Sequence, residues 1–300
     1  MNKTTAATFF AILAAALYAI SIPLSKGLLE HAGPTMMAAF LYLGAGLGLF
    51  LYTQAELAVG KGGNRQHLTR KELPWTVAMV VLDIAAPILL MLGIQRTTSA
   101  NVSLLNNFEI VVTSVVAMTV FKEAISRRLW IAIGLVTLAS IVLTFEGTGA
   151  FVVNEGSLLV LAAAACWGVE NNCTKMISHK STVEIVTIKG TFSGLGSLIV
   201  AFIVGESVPA IGWIAAILAL GFVSYGLSIN FYILAQRHIG AAKTSAYYAI
   251  APFLGVAFSM ALLGERPGPV FYVALSIMMV SVVIMGIDTL APSESESPES

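Results

Sequence analysis

The sequence predicts an all-α integral membrane fold, with ten transmembrane helices arranged as two inverted five-helix repeats. Composition is the first observation: 57% of the 300 residues are hydrophobic and 11% charged, with a mean hydropathy of +0.88. Soluble domains carry about 25% charged residues. Length is the second, because apolar runs of about 20 residues, enough to cross roughly 30 Å of hydrocarbon at about 1.5 Å per residue, occur ten times. Repetition is the third. Segments of the first five runs return in the last five, and an odd number of crossings per copy turns the second copy over.

In chain order, the first run lies near 6–26. Its start, MNKTTAATFFAILAAALYAI, has the lysine-then-apolar layout of a secretory signal. Cleavage would leave nine runs and remove a member of the repeat, so the segment is read as a span. His31-Ala32-Gly33-Pro34 gives turn chemistry before the second run, 34–53. The longest gap, Gln54 to Pro74, is about 21 residues, short of the roughly 50 a domain needs, so no soluble catalytic domain fits there. Arg70-Lys71-Glu72-Leu73-Pro74 introduces 75–94, and 100–121 and 129–146 complete the first copy. The second copy comprises 156–177, 183–204, 211–235, 243–263 and 269–289, punctuated by Glu206-Ser207-Val208-Pro209 and Gly264-Glu265-Arg266-Pro267, both charged turns. Residues 6–146 and 156–289 are thus the two repeats. Residues 290–300, with the acidic and serine-rich APSESESPES, are too poor in apolar side chains to fold and read as a disordered cytoplasmic tail.

Charge sets the orientation. With the N-terminus inside, Lys3, Lys61, Arg65, Arg70, Lys71, Lys122, Arg127, Arg128, Lys175, Lys180, Arg237 and Lys243 fall on the inner side, and only Lys26, Arg96 and Arg266 on the outer. That asymmetry predicts two cytoplasmic termini. Cys166 and Cys173 share one helix face seven residues apart. They cannot bridge at that spacing and read as packing residues.

The repeat is legible residue by residue. Leu17 to Lys26 lies over Cys166 to Lys175 at constant offset, Ile110 to Glu123 matches Pro252 to Glu265, and Gly44, Gly46 and Gly48 answer to Gly190, Gly194 and Gly196. Inverted repeats related by an axis in the membrane plane place a transport site at their interface near the midplane. Gly44-x-x-x-Gly48 and Gly190-x-x-x-Gly194 allow close helix approach. Pro23, Pro87 and Pro252 each remove a backbone donor and can bend a span.

The segments AALYAISIPLSKGLLEHAGPTMMAAFLYLGAGLGL and LGIQRTTSANVSLLNNFEIVVTSVVAMTVFKEAISRRLWIAIGLVTLASIVL, echoed by ACWGVENNCTK and SAYYAIAPFLGVAFSMALLGERP, resemble the duplicated EamA-type domain of the drug/metabolite transporter superfamily. The resemblance implies a ten-helix bacterial inner-membrane carrier, commonly an exporter of amino acids, related metabolites or lipophilic drugs, and it looks closest to aromatic amino acid exporters. Family members often carry Glu-Pro midway along the fourth and ninth spans, whereas this chain has Glu109-Ile110 and Ala251-Pro252. The departure implies a straighter fourth helix.

Within the sixth span, Trp167, Glu170, Asn171 and Thr174 share one helix face, matched by Tyr18, Ser21, Ile22 and Ser25 of the first. A carboxylate facing lipid costs about 2.5–3.5 kcal/mol, so these residues either line a water-accessible cavity or act as interhelical hydrogen-bond glue worth about 0.6 kcal/mol each. Asp83, Glu109 and Lys189 are the other ionisable residues within spans. They point inward, pair as Asp83 with Lys189, or, for Asp83, Glu109 and Glu170, carry protons for coupled export. The fourth span adds a polar stripe of Ser99, Ser103, Asn106, Asn107, Thr113 and Ser114, from which Asn106 or Asn107 is expected in the cavity. Tyr225, Asn230, Tyr232, Tyr247 and Tyr248 extend a possible aromatic wall suited to a small amphipathic ligand. Substrate contacts are therefore expected from Tyr18, Ser21, Asn106, Trp167, Glu170, Asn171, Tyr225 and Tyr248.

No GxxxxGKS, HExxH or Cys/His cluster occurs, so neither ATP, a cofactor nor a metal is expected. Phosphorylated substrates ask for convergent Lys or Arg, and only Lys189 lies deep. The expected partners are a small-molecule substrate and the lipid bilayer, with no nucleic acid and a monomeric unit. The expected activity is export of small amphipathic solutes, most of all amino acids including aromatic ones, by alternating access. The alternatives are a proton-coupled exporter of lipophilic cations and, from another class, a membrane-embedded enzyme or sensor, which lacks a recognisable nucleophile, base and orienter.

Overall fold

The computed structural model describes residues 3–58, 67–145, 153–239 and 241–290. The tail expected at 290–300 lies from residue 291 onward outside the described residues, as do Lys61, Arg65 and most of the connection between the halves.

The first crossing is made by α1 (Lys3–Ala19) and α2 (Ser21–Leu28), the second by α3 (Pro34–Ala58) and the third by α4 (Leu73–Arg96). The fourth is split into α5 (Ser99–Leu105) and α6 (Phe108–Thr119), and α7 (Arg127–Thr144) is the fifth. The second half has α8 (Glu155–Ile177) and α9 (Thr182–Ile203) as crossings six and seven. In crossing eight, α10 (Ile211–Gly221) leads through a π-helical turn (Phe222–Leu227) into α11 (Ser228–Ile239). The ninth crossing is α12 (Ala241–Tyr248) with α13 (Ala251–Leu263), and the tenth is α14 (Pro269–Leu290). Eight crossings are long and apolar enough to span a bilayer by themselves. The remaining two are the ninth, whose apolar part Ala251–Leu263 is short, and α8, which has 23 residues but carries Glu170-Asn171-Asn172.

Proline explains two of the breaks. A proline ring clashes with the carbonyl four residues earlier, and α1 ends at Ala19, four before Pro23, as α12 ends at Tyr248, four before Pro252. Pro87 sits inside an unbroken α4 and instead leaves the Asp83 carbonyl without its helical donor. The fourth crossing corrects the expectation of a straighter helix: it breaks at Asn106 and Asn107 without any proline. The Asn107 amide donates to the Leu104 carbonyl at 3.3 Å, and such local side-chain bonds compete with the helical ladder.

Packing follows a pseudo-two-fold. The third crossing lies along the sixth just as the first lies along the eighth, while second with seventh, fourth with ninth and fifth with tenth pair across the axis. Glycine makes the central contact possible. A Cβ on Gly190 would stand 2.5 Å from the Gly46 backbone nitrogen, one on Gly44 2.1 Å from the Leu218 carbonyl oxygen, and one on Gly48 2.1 Å from the Phe222 ring. Gly194 likewise abuts the Leu43 backbone.

The two membrane faces differ. On the face opposite the N-terminus, α5 packs on α13 and on α2, and every residue of α5 is buried. On the N-terminal face the symmetry-related contacts would join α12 to α6 and α8. Neither is formed to any comparable extent among the described residues. Among the described residues the bundle is therefore closed on one face and parted on the other.

Candidate functional site

Between the halves lies a cavity of about 260 Å³, lined by Tyr18, Tyr42, Ala45, Glu109, Trp167, Glu170, Asn171, Val186, Lys189, Gly190, Ser224, Tyr225, Ser228, Ile229 and Tyr248. Both repeats contribute. The walls are aromatic: Tyr18 meets Tyr225 edge-on with ring centres 5.7 Å apart and tilts against Tyr248 at 6.0 Å, while Tyr42 lies 5.9 Å from Tyr225. Aromatic walls with a few convergent polar groups fix a small ligand's orientation while burying its apolar part.

The floor is charged. Lys189 Nζ stands 3.1 Å from Asp83 Oδ2 and 3.0 Å from Glu170 Oε2, and the two carboxylates are 0% and 1% exposed. Asp83 Oδ1 also accepts from the Tyr42 hydroxyl at 3.1 Å and the Trp167 indole N–H at 3.2 Å. Glu170 accepts a further bond from the Thr174 hydroxyl. Buried charges are tolerated only when paired and hydrogen-bonded in this way, and the Asp83 and Lys189 pairing joins the third crossing to the seventh across the two halves.

Glu109 differs from that pair. Its Oε1 accepts from the Asn171 amide at 2.5 Å, and no ion pair involves it among the described residues. A carboxylate on the cavity wall, held by one neutral donor, is free to meet a cationic group.

The structure brings Tyr18, Trp167, Glu170, Asn171, Tyr225 and Tyr248 of the expected substrate contacts together around the cavity. Ser21 and Asn106 are corrections. Ser21 lies past the break at Ile20, buried behind the wall as a hydrogen-bonding neighbour of Tyr225. Asn106 is buried where α5 ends, and neither it nor Asn107 lines the cavity. Of the expected coupling residues Glu109 and Glu170 line the cavity, whereas Asp83 sits one layer behind and acts on Tyr42, Trp167 and Lys189. The neighbouring Asn172 is interhelical glue: its amide bonds the Thr113 carbonyl of α6 as well as the Gly168 carbonyl of its own helix. Tyr232 packs edge-on to Tyr248, and Tyr247 is 39% exposed. The sequence reading missed Tyr42, Ser224 and Ser228. Tyr42 carried a signal, as a tyrosine two residues before the Gly44 close contact. Ser224 enters the lining from within the π-helical turn, which has no mark in the sequence.

Residues 5–145 and 154–287 each match the EamA-like transporter family. An uncharacterized transporter from Methanothermobacter thermautotrophicus is 25% identical over 288 residues, covering 91% of this chain and 84% of the relative. The crystal structure of another protein superposes with a TM-score of 0.68 over 97% of this chain and 98% of that one at 15% identity, a likeness of fold alone.

Proposed function

The chain belongs to the EamA-like transporter family, and from that premise we propose that it exports small amphipathic metabolites, above all amino acids including aromatic ones, by alternating access. The observation that carries this reading is Glu109, a carboxylate with no ion pair among the described residues, on the wall of an aromatic cavity at the repeat interface. A solute ammonium group meets Glu109 and the Asn171 side chain, its carboxylate end meets Lys189, and its side chain lies against Tyr18, Trp167, Tyr225 and Tyr248. Size supports the reading too: about 260 Å³ falls below the roughly 300–1,000 Å³ of sites for drug-sized ligands. Because the family is one of transporters, the cavity is read as a transport site and not as that of an enzyme or sensor. We place the chain in a bacterial inner membrane with both termini cytoplasmic, so that the parted face is the loading side. Both repeats lie in one chain, so a monomer suffices.

Purified protein in proteoliposomes should move radiolabelled aromatic amino acids down their gradient, and Glu109→Gln should slow this at least about tenfold, the cost of one charge-assisted hydrogen bond. The charge balance favours one other reading. Among the described residues Asp83, Glu109 and Glu170 are gathered about one cation, Lys189, an excess of carboxylates suited to exchanging protons for lipophilic cations. Movement of such cations only under an imposed pH gradient, with no amino acid flux, would replace the first reading by the second.

A further inference from the structure

Three described crossings end in the same local device: a residue in the left-handed region followed by glutamate. Gly205 (φ 77°) precedes Glu206, Gly264 (φ 65°) precedes Glu265 and Lys122 (φ 57°) precedes Glu123. Two of these glutamates close the face opposite the N-terminus. Glu206 accepts from the Thr35 and Met36 amides at 3.0 and 2.7 Å, capping α3, and Glu265 accepts from the Ser99 and Ala100 amides at 2.8 and 2.9 Å, capping α5. Each bond ties one half to the other. Lys26 completes this closure, donating to the Ile94 and Thr97 carbonyls at the end of α4 within electrostatic range of Glu265.

The repeat supplies counterparts of both groups. Lys175 answers to Lys26 and Glu123 to Glu265. On the parted N-terminal face they bond each other, with side chains 57% and 42% exposed. The end of α11 and the start of α12, equivalent by the repeat to the end of α4 and the start of α5, are not their partners among the bonds described.

We propose that Lys26 with Glu265 and Lys175 with Glu123 are the two gate locks of the transport cycle, engaged alternately. In the structure the first lock holds and the second is released. When the bundle rocks, Glu123 caps the Ala241 and Ala242 amides at the start of α12, and Lys175 reaches the last carbonyls of α11. Lys26 and Glu265 are then freed to pair with each other. These four are positioning residues: they act on helix ends and touch no solute. The inference rests on the alternating-access reading, but its test needs no transported solute, so failure of the lock and failure of the solute assignment are distinguishable.

The test is a distance across the N-terminal face. With Cys166 and Cys173 replaced by alanine, spin labels are placed at Val120→Cys, at the end of α6, and Tyr247→Cys, on α12, in the full chain in lipid nanodiscs. The parent gives a long distance with a minor short one. Glu265→Gln should raise the short population about tenfold relative to the long one and Glu123→Gln should lower it by a similar factor, because each substitution removes a helix cap from one of two states and only a weak lysine pair from the other. Glu265→Asp should restore the parent distribution, which loss of general stability would not do. Shifts in the same direction, or no shift in either variant, would overturn the proposal. If Glu265→Gln fails to fold, the exposed Glu123→Gln and Lys175→Met decide alone: both must deplete the short distance.

Discussion

The two repeats share a scaffold but not a chemistry. Tyr18 and Trp167 occupy equivalent positions and both line the cavity, yet Ser21 answers to Glu170 and Glu109 to Ala251. The helices diverge likewise, since the first crossing is broken ahead of Pro23 whereas its counterpart α8 is continuous. Near-symmetric packing suits the two mirror states of similar energy that the proposed rocking requires. Unequal side chains suit the single solute orientation proposed above. On that proposal symmetry belongs to the motion, and asymmetry to recognition.

The sharpest way to break that division is at Lys189. Lys189→Met strands Asp83 and Glu170 as buried carboxylates, and removing one partner of a buried ion pair costs about 3–5 kcal/mol. Thermal unfolding in detergent should fall accordingly, while Lys175→Met, which breaks an exposed pair, should cost at most about 1 kcal/mol. Scaffold symmetry is tested next by Gly190→Leu. With a Cβ 2.5 Å from the Gly46 nitrogen, the second and seventh crossings must part, at a cost of about 1–3 kcal/mol. Gly134→Ala has nothing within 4 Å to meet and should be neutral or stabilise by up to about 1 kcal/mol. Smaller still is the contrast between Lys122 and its counterpart Gly264. Both adopt positive φ, so Lys122→Gly should stabilise by about 1 kcal/mol and Gly264→Lys should cost about as much.

The smallest effect lies at Glu72, at the start of α4. Bonds from the Thr69 hydroxyl and amide, aided by Lys180, hold its carboxyl down to about 2 against an ordinary 4.5. The folded value lies below the unfolded one, so its stabilisation is complete above pH 4.5 and fades as pH falls toward 2. Melting temperatures of the parent and Glu72→Gln should differ above pH 5 and converge near pH 2.

Crossings, duplication and inversion were legible because bilayer thickness and odd repeat number act on composition and spacing alone. Trp167, Glu170 and Asn171 were legible for a related reason, as polar groups at one helical spacing in an apolar run must face inward. Ser21 and Asn106 were misplaced because each sits at a helix break, where regular helical spacing no longer decides which side chains reach the cavity. The break at Asn106 has no proline to announce it. Lys189 stood out by depth, but its choice of both Asp83 and Glu170 depends on azimuth, which three separate helices set together.

The wide turn at Phe222–Leu227 gives the eighth crossing one residue more than a regular helix would hold there. Ser224 and Tyr225 belong to that turn, and Ser228 and Ile229 follow it. Loss of one codon within it would restore ordinary winding and take one residue out of the widened turn, with the later side chains left close to their present faces, replacing part of the lining in a single genetic step while leaving the helix count and the pairing of repeats intact. A lineage can thus change what it carries without first having to relearn how to fold.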